Sequence, residues 1–225
     1  PLVKGIEFKS IYYGGGSPSI IDGDTFINLH KSLKRIFGIS DDAEITVEGE
    51  LRTLHSKKRL EAYKSVGVQR LSFGLQTFDN DLRKRFNIPY DADTAIKMVN
   101  STAEYAFKEL NAYMMYGLPN HTIEQLKYDI NQLHNVNIGS VDYYRLHPYS
   151  LPNSLKGDWI QKANGFKHIF VESIIDGLSK QGFYNVCDQV YSKVGVSEYT
   201  RLLWGKSDYV ASSYMVGIGA SARGF

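Results

Sequence analysis

Short runs of β-branched and aromatic residues alternate along the chain with longer amphipathic stretches, and this alternation restricts the possible folds more than any other feature. Ser10 to Tyr13 reads as a buried strand that stops at Gly14-Gly15-Gly16. An amphipathic helix follows, capped by Asp22 or Asp24, with Phe26, Leu29, Leu33 and Ile36 on one face. Further strands are predicted at Glu44–Val47, Arg70–Leu75, Leu110–Met115 and Val141–Leu146. The helices between them run from Ser56 to Val66, stopped by Gly67, from Ala92 to Ala106, and from the cap Thr122 to His134. Pro148 to Pro152 reads as a loop, and a long helix from Gln161 to Gln181 ends at Gly182. A helical stretch at Ser197–Leu203 and an apolar strand at Tyr214–Gly217 close the chain. Repeated strand–helix order implies parallel strands joined by crossovers, hence an α/β fold that is either a barrel or a doubly wound sheet. Both build their sites at the carboxyl ends of the strands. Gly14–Ser17, Glu48, Gln76, Tyr116-Gly117 and Tyr149 fall there.

Each of these positions has a chemical use and a plain structural one. Three glycines let the backbone approach a ligand and free its N–H and C=O groups to bond it, while a tight turn explains them equally well. Glu48, at a strand end, suits the two hydroxyls of a ribose, and as an isolated acid it also suits water. Gln76 offers a donor and an acceptor after Gly74, or simply caps the next loop. Tyr116-Gly117-Leu118-Pro119 is a strand exit that a turn explains nearly as well. The six histidines form no metal-type spacing, and no Cys-x-x-Cys pair exists, so no metal ligand is expected within this chain. His147 sits at a strand end and reads as an ordinary loop histidine.

Composition removes several classes of function. A formal charge of +2 gives no basic face for nucleic acid or an anionic membrane. No apolar stretch approaches the roughly 20 residues of a membrane span. The single cysteine, Cys187, excludes an internal disulfide framework and fits a reducing compartment, so a cytoplasmic location is expected. No repeat, low-complexity segment or linker divides residues 1–225.

Taken in order, several of these segments resemble one family. Tyr13-Gly14-Gly15-Gly16-Ser17-Pro18-Ser19 is similar to the Gly-Gly-Gly-Thr-Pro motif of radical S-adenosylmethionine (SAM) proteins of the oxygen-independent coproporphyrinogen oxidase-like group. Glu44-Ile45-Thr46-Val47-Glu48 resembles that group's strand ending in its SAM-binding glutamate. Gln69 to Phe78 resembles Asn-Arg-Leu-Ser-x-Gly-x-Gln-Ser-Phe, and Met115 to Pro119 resembles Ile-Tyr-Gly-Leu-Pro. Trp204 and Gly217 to Ala222 resemble its closing segment. The resemblance implies a partial (β/α) TIM-type barrel with SAM as cofactor, and it carries cofactor contacts to Gly14, Gly15, Gly16, Ser17, Glu48, Gln76 and Ser150. It also implies a porphyrin or heme-type tetrapyrrole as substrate or ligand, and an electron-donor protein if the chain is active. Asp142-Tyr143-Tyr144-Arg145-Leu146, before a Ser-Leu-Pro loop, is closer to the heme-utilisation branch than to the biosynthetic oxidase.

The departures are equally specific. The family's iron–sulfur cysteine motif and first strand are missing, so residues 1–225 are expected to be the core of a longer protein whose cluster loop lies before Pro1. Tyr113 stands where the oxidase has an Asp, and Ile88 falls near its Arg, for which Arg83 and Arg85 are candidate substitutes at the wrong spacing. Two expectations follow. One is a radical SAM enzyme core that needs the missing cysteines. The other is a cluster-free heme carrier or pseudoenzyme.

Overall fold

A computed structural model describes residues 5–147, 159–204, 214–220 and 222. Five strands follow one another in sequence: β1 (Phe8–Tyr13), β2 (Ile39–Gly49), β3 (Arg70–Gln76), β4 (Glu109–Tyr116) and β5 (Ser140–Arg145). A hairpin of β6 (Tyr184–Cys187) and β7 (Val190–Ser192) completes a seven-stranded sheet of order β1-β2-β3-β4-β5-β7-β6. The pairs β1/β2, β2/β3 and β4/β5 are parallel, as the crossover order predicts. The hairpin is antiparallel to β5 and within itself, so the sheet is mixed.

The helices are α1 (Gly23–Ile36), α2 (Leu51–Leu54), α3 (Lys57–Ser65), α4 (Asn80–Arg85), α5 (Ala92–Ala103), α6 (Ile123–Gln132), α7 (Trp159–Ser179) and α8 (Glu198–Trp204). Their starts obey capping chemistry. Asp22 accepts the Thr25 N–H at 3.0 Å, and Thr122 with Gln125 forms a reciprocal capping box at the start of α6. Gly67 and Gly182, at φ +83° and +81°, take the left-handed conformation that ends α3 and α7.

The chain divides into two compact units. The first comprises Pro1–Phe73, Ser101–Leu110 and Gly195–Phe225. Its core sets Tyr13 edge-on to Phe26 at 4.9 Å and Phe26 edge-on to Tyr63 at 4.7 Å. Along β2, Ala43, Ile45 and Val47 alternate with Glu44, Thr46 and Glu48, so one face of the strand is apolar and the other polar. The polar face continues into the buried Arg70, which lies 3.2 Å from Glu109 and donates to Ser72 Oγ at 2.8 Å. The second unit comprises Gly74–Asn100 and Asn111–Val194. Leu75, Phe78, Leu82, Val99, Met114, Leu126, Val141 and Leu178 have no exposed surface in its core. Its polar strand face carries the buried Asn111, Ser140 and Asp142.

Two expectations need correction. The buried side of α1 is Gly23, Phe26 and His30, whereas Leu29 and Ile36 are 38% and 62% exposed. The cause is close helix approach: a Cβ on Gly23 would stand 2.8 Å from Ala62 Cβ, so α1 turns its glycine toward α3 and Leu29 outward. Tyr214–Gly217 forms no strand, and Tyr214 is 77% exposed. The loop predicted at Pro148–Pro152 lies outside the described residues.

Candidate functional site

In the first unit, Tyr12 pairs with Thr46 and Tyr13 with Val47, so the glycine run after β1 and Glu48 of β2 emerge at one edge. Tyr12 Oη donates to Glu48 Oε2 at 2.9 Å. Burial pushes the Glu48 carboxyl above its ordinary value, and the Tyr12 hydroxyl and the Gly15 backbone oppose that rise. Gly14 follows from this geometry. A Cβ there would lie 2.3 Å from the Tyr12 ring and 3.0 Å from Glu48 Oε2. Gly15 takes φ +100°, and a Cβ on either Gly15 or Gly16 would meet nothing within 4 Å. The loop therefore presents open backbone beside a half-buried acid.

Ser17 Oγ donates to Glu50 Oε1 at 2.9 Å, and Glu50 Oε2 lies 2.5 Å from Arg52 Nε. Ser17 thus keeps acceptor capacity at the loop. Ser19 Oγ accepts the Glu50 N–H at 3.3 Å, and Gly49 makes room for it, since a Cβ there would fall 2.0 Å from that oxygen. These contacts tie the loop after β1 to the end of β2.

Two further residues shape this edge. The Tyr199 ring stacks on Tyr12 with centroids 4.3 Å apart and planes at 23°. Glu44 holds α8 in place by accepting the Glu198 N–H at 2.9 Å and the Tyr199 N–H at 3.1 Å. Nothing local in the sequence signals either residue, because the partners are 154 and 155 positions apart.

Gln76 belongs to the second unit, at the exit of β3, where it takes φ 62°. Its side chain folds back along its own strand. With the amide oriented to satisfy both ends, Nε2 donates to Gly74 O at 3.3 Å and Leu75 O at 3.1 Å. That explains Gly74, whose Cβ would lie 2.0 Å from the Gln76 side-chain amide. Tyr116 is buried and Gly117 takes φ 70°, as a sharp strand exit requires. Tyr113 meets Tyr144 edge-on at 5.6 Å, and Tyr144 Oη donates to Asp142 Oδ2 at 3.0 Å.

Arg83 does not stand in for an arginine at Ile88. It is 2% exposed and its guanidinium is engaged by backbone carbonyls. Arg85 donates to Pro119 O at 3.3 Å. Burial, with Asp142 and Asp188, pushes the Cys187 thiol up, which disfavours a nucleophilic thiolate. Ser150 and Tyr149 lie outside the described residues. Among the described residues, no group of three or more His, Cys, Asp or Glu side chains could hold a metal ion, and no helix is long and apolar enough to cross a membrane.

Glu48 beside open glycine backbone is chemically suited to a vicinal diol carried by a ligand with further polar groups. Residues 2–133 match the Radical SAM superfamily. A protein named heme chaperone HemW from Buchnera aphidicola subsp. Schizaphis graminum is 31% identical over 232 residues, covering 99% of this chain and 57% of the relative. The oxygen-independent coproporphyrinogen III oxidase of Escherichia coli is 28% identical over 137 residues, covering 61% of this chain and 30% of that one. The solved structure of coproporphyrinogen III oxidase (HemN) from Escherichia coli superposes with a TM-score of 0.70 at 20% identity, covering 97% of this chain and 52% of that one. The sheet with its crossover helices is thus a partial barrel of the TIM type. The chain spans somewhat over half the length of the curated relatives that it matches along nearly its whole extent.

Proposed function

The chain belongs to the radical SAM superfamily, and from that membership we propose that it is the SAM-binding core of a larger protein acting on a porphyrin or heme-type tetrapyrrole. One observation carries this reading: the open Gly14-Gly15-Gly16 loop lies beside the half-buried Glu48, whose carboxylate accepts from Tyr12 Oη. Glu48 would accept the ribose hydroxyls, while the backbone of Gly14–Gly16 and the oxygen of Ser17 would bind the remaining polar groups of SAM. Tyr12, already on Oε2, orients the carboxylate and leaves Oε1 for the sugar. Gln76, and Ser150 by its place in the motif, are proposed as further contacts to the cofactor or substrate.

In the radical SAM superfamily, bound SAM would supply radical chemistry only together with an iron–sulfur cluster. Such a cluster is held by cysteine thiolates, and Cys187 is the single cysteine here, so the residues of this chain do not fit one. We place its ligands outside this sequence. The electron-donor protein belongs with them.

A second reading, a heme carrier without SAM turnover, draws on the relative named as a heme chaperone and on Tyr113 and Ile88. Calorimetric titration with SAM and absorbance titration with hemin separate the two. The core reading expects SAM binding that weakens about 10- to 100-fold in Glu48→Ala, the scale of hydrogen bonds to a charged group. Hemin binding with no SAM affinity in the wild type would replace it with the carrier.

A further inference from the structure

Gln76 is held in a conformation that its own sequence disfavours. The Thr77 N–H donates to Leu75 O at 2.8 Å, closing a three-residue turn with Gln76 at its centre and φ 62°. Turns of this kind with positive φ are rare and strained, and a residue with a Cβ persists there only when its surroundings over-determine it. Two buried charged side chains do so. Arg83 Nη1 donates to Leu75 O at 2.9 Å and to Thr77 O at 2.6 Å, one residue either side of Gln76. The same guanidinium reaches Tyr90 O at 2.8 Å and Pro89 O at 2.6 Å, tying the turn to the loop after α4. From α6, Asp129 accepts the Phe78 N–H at 2.6 Å and the Thr77 hydroxyl at 3.0 Å. Arg83 is 2% exposed and Asp129 has no exposed surface.

We propose that Arg83 and Asp129 are positioning residues that lock Gln76 into its strained turn, so that its amide is fixed at the exit of β3 for a bound ligand. The ligand half of this proposal rests on the reading of Gln76 as a cofactor or substrate contact. The mechanical half does not. A lysine at position 83 would not reproduce the effect, because one ammonium cannot meet four carbonyls spread over Leu75, Thr77, Pro89 and Tyr90.

The test compares Gln76→Gly with Gln76→Ala, each with Asp129 intact and with Asp129→Ala. Glycine escapes the cost of positive φ and alanine does not, so with the clamp intact Gln76→Gly melts above Gln76→Ala by about 2–4 °C. Without the Asp129 side chain the turn relaxes and that gap closes. Asp129→Asn, which keeps an oxygen acceptor, retains it. Thr77→Val removes one anchor and serves as the milder variant if Asp129→Ala does not fold, with a reduced gap expected. A gap unchanged in both Asp129→Ala and Thr77→Val overturns the clamp. Titrations with SAM and with hemin read the ligand half. Gln76→Ala and Asp129→Ala should each weaken one of these ligands about tenfold, and the double variant should be no weaker than either alone. Unchanged binding of both ligands in Gln76→Ala overturns the ligand role while leaving the clamp to the thermal comparison.

Discussion

Asp129 is an acid placed where a charge is expensive. Burial pushes its carboxyl up to about 7, although the Phe78 N–H and the Thr77 hydroxyl both favour the ionised form and Asp79 adds to the rise. The other groups facing it are the buried Tyr143 and Arg83. Among the described residues, Asp129 Oδ2 and Tyr143 Oη have no hydrogen-bond partner. The folded value lies above the ordinary 3.8, so the stability tied to the protonated acid is complete below about pH 4 and is lost as pH rises through about 7. Asp129→Asn, which never ionises, should therefore match the wild type in thermal melts near pH 4. It should exceed it near pH 8, by at most ~4 kcal/mol. A difference that does not change with pH would contradict this. Gly14 gives a second residue-scale expectation. Gly14→Ala must displace the Tyr12 ring and break its bond to Glu48, so SAM affinity should fall about tenfold in calorimetry with little change in fold by circular dichroism. Gly14 and Glu48 could be proposed from the sequence because each lies at a strand end within a motif. The roles of Arg83 and Asp129 could not, since they depend on carbonyls and amides that only the folded chain brings to these residues.

At the scale of elements, legibility followed length and capping. The strands β1 to β5 and the helices α1, α3, α5, α6 and α7 all carry enough residues for a periodic signal, and Asp22 and Thr122 mark starts that the structure confirms. The four-residue α2 and β6 and the three-residue β7 are too short for a period to register. The hairpin they conceal converts a parallel expectation into a mixed sheet. The inward face of α1 was misjudged because Gly23 gives no hydrophobic signal although it sets the approach to α3. Helix α8 provides the test at this scale. Ser197 Oγ accepts the Thr200 N–H at 3.1 Å and Glu44 accepts the two amides before it, so the N-terminus of α8 is held from both sides. Glu44→Ala should cost about 1–2 kcal/mol, the range of a lost cap, read as a shifted denaturant midpoint. It should also loosen the Tyr199 stack on Tyr12, measurable as a change in near-ultraviolet circular dichroism.

For the whole molecule, the proposed division of labour between this chain and a cluster-bearing segment outside it is testable. The proposed cofactor-side residues lie within residues 1–225, while Cys187 is the single cysteine. After anaerobic incubation with iron and sulfide, the chain should show no cluster absorbance, and Cys187→Ser should behave identically. Cluster formation abolished by Cys187→Ser would overturn that division. The family resemblance was legible across nearly the full length because its motifs are contiguous in sequence, and those from Gly14 to Pro119 fall at or near strand ends. The tie between Glu44 and α8 has a temporal consequence. A contact spanning 154 residues closes a longer loop than the pairing of β1 with β2, so it is expected to form after that pairing. During synthesis Glu44 and Tyr12 must wait for residues made more than 150 positions later, and the edge that carries Glu48 gains its Tyr199 cover only when the ribosome has almost finished the segment.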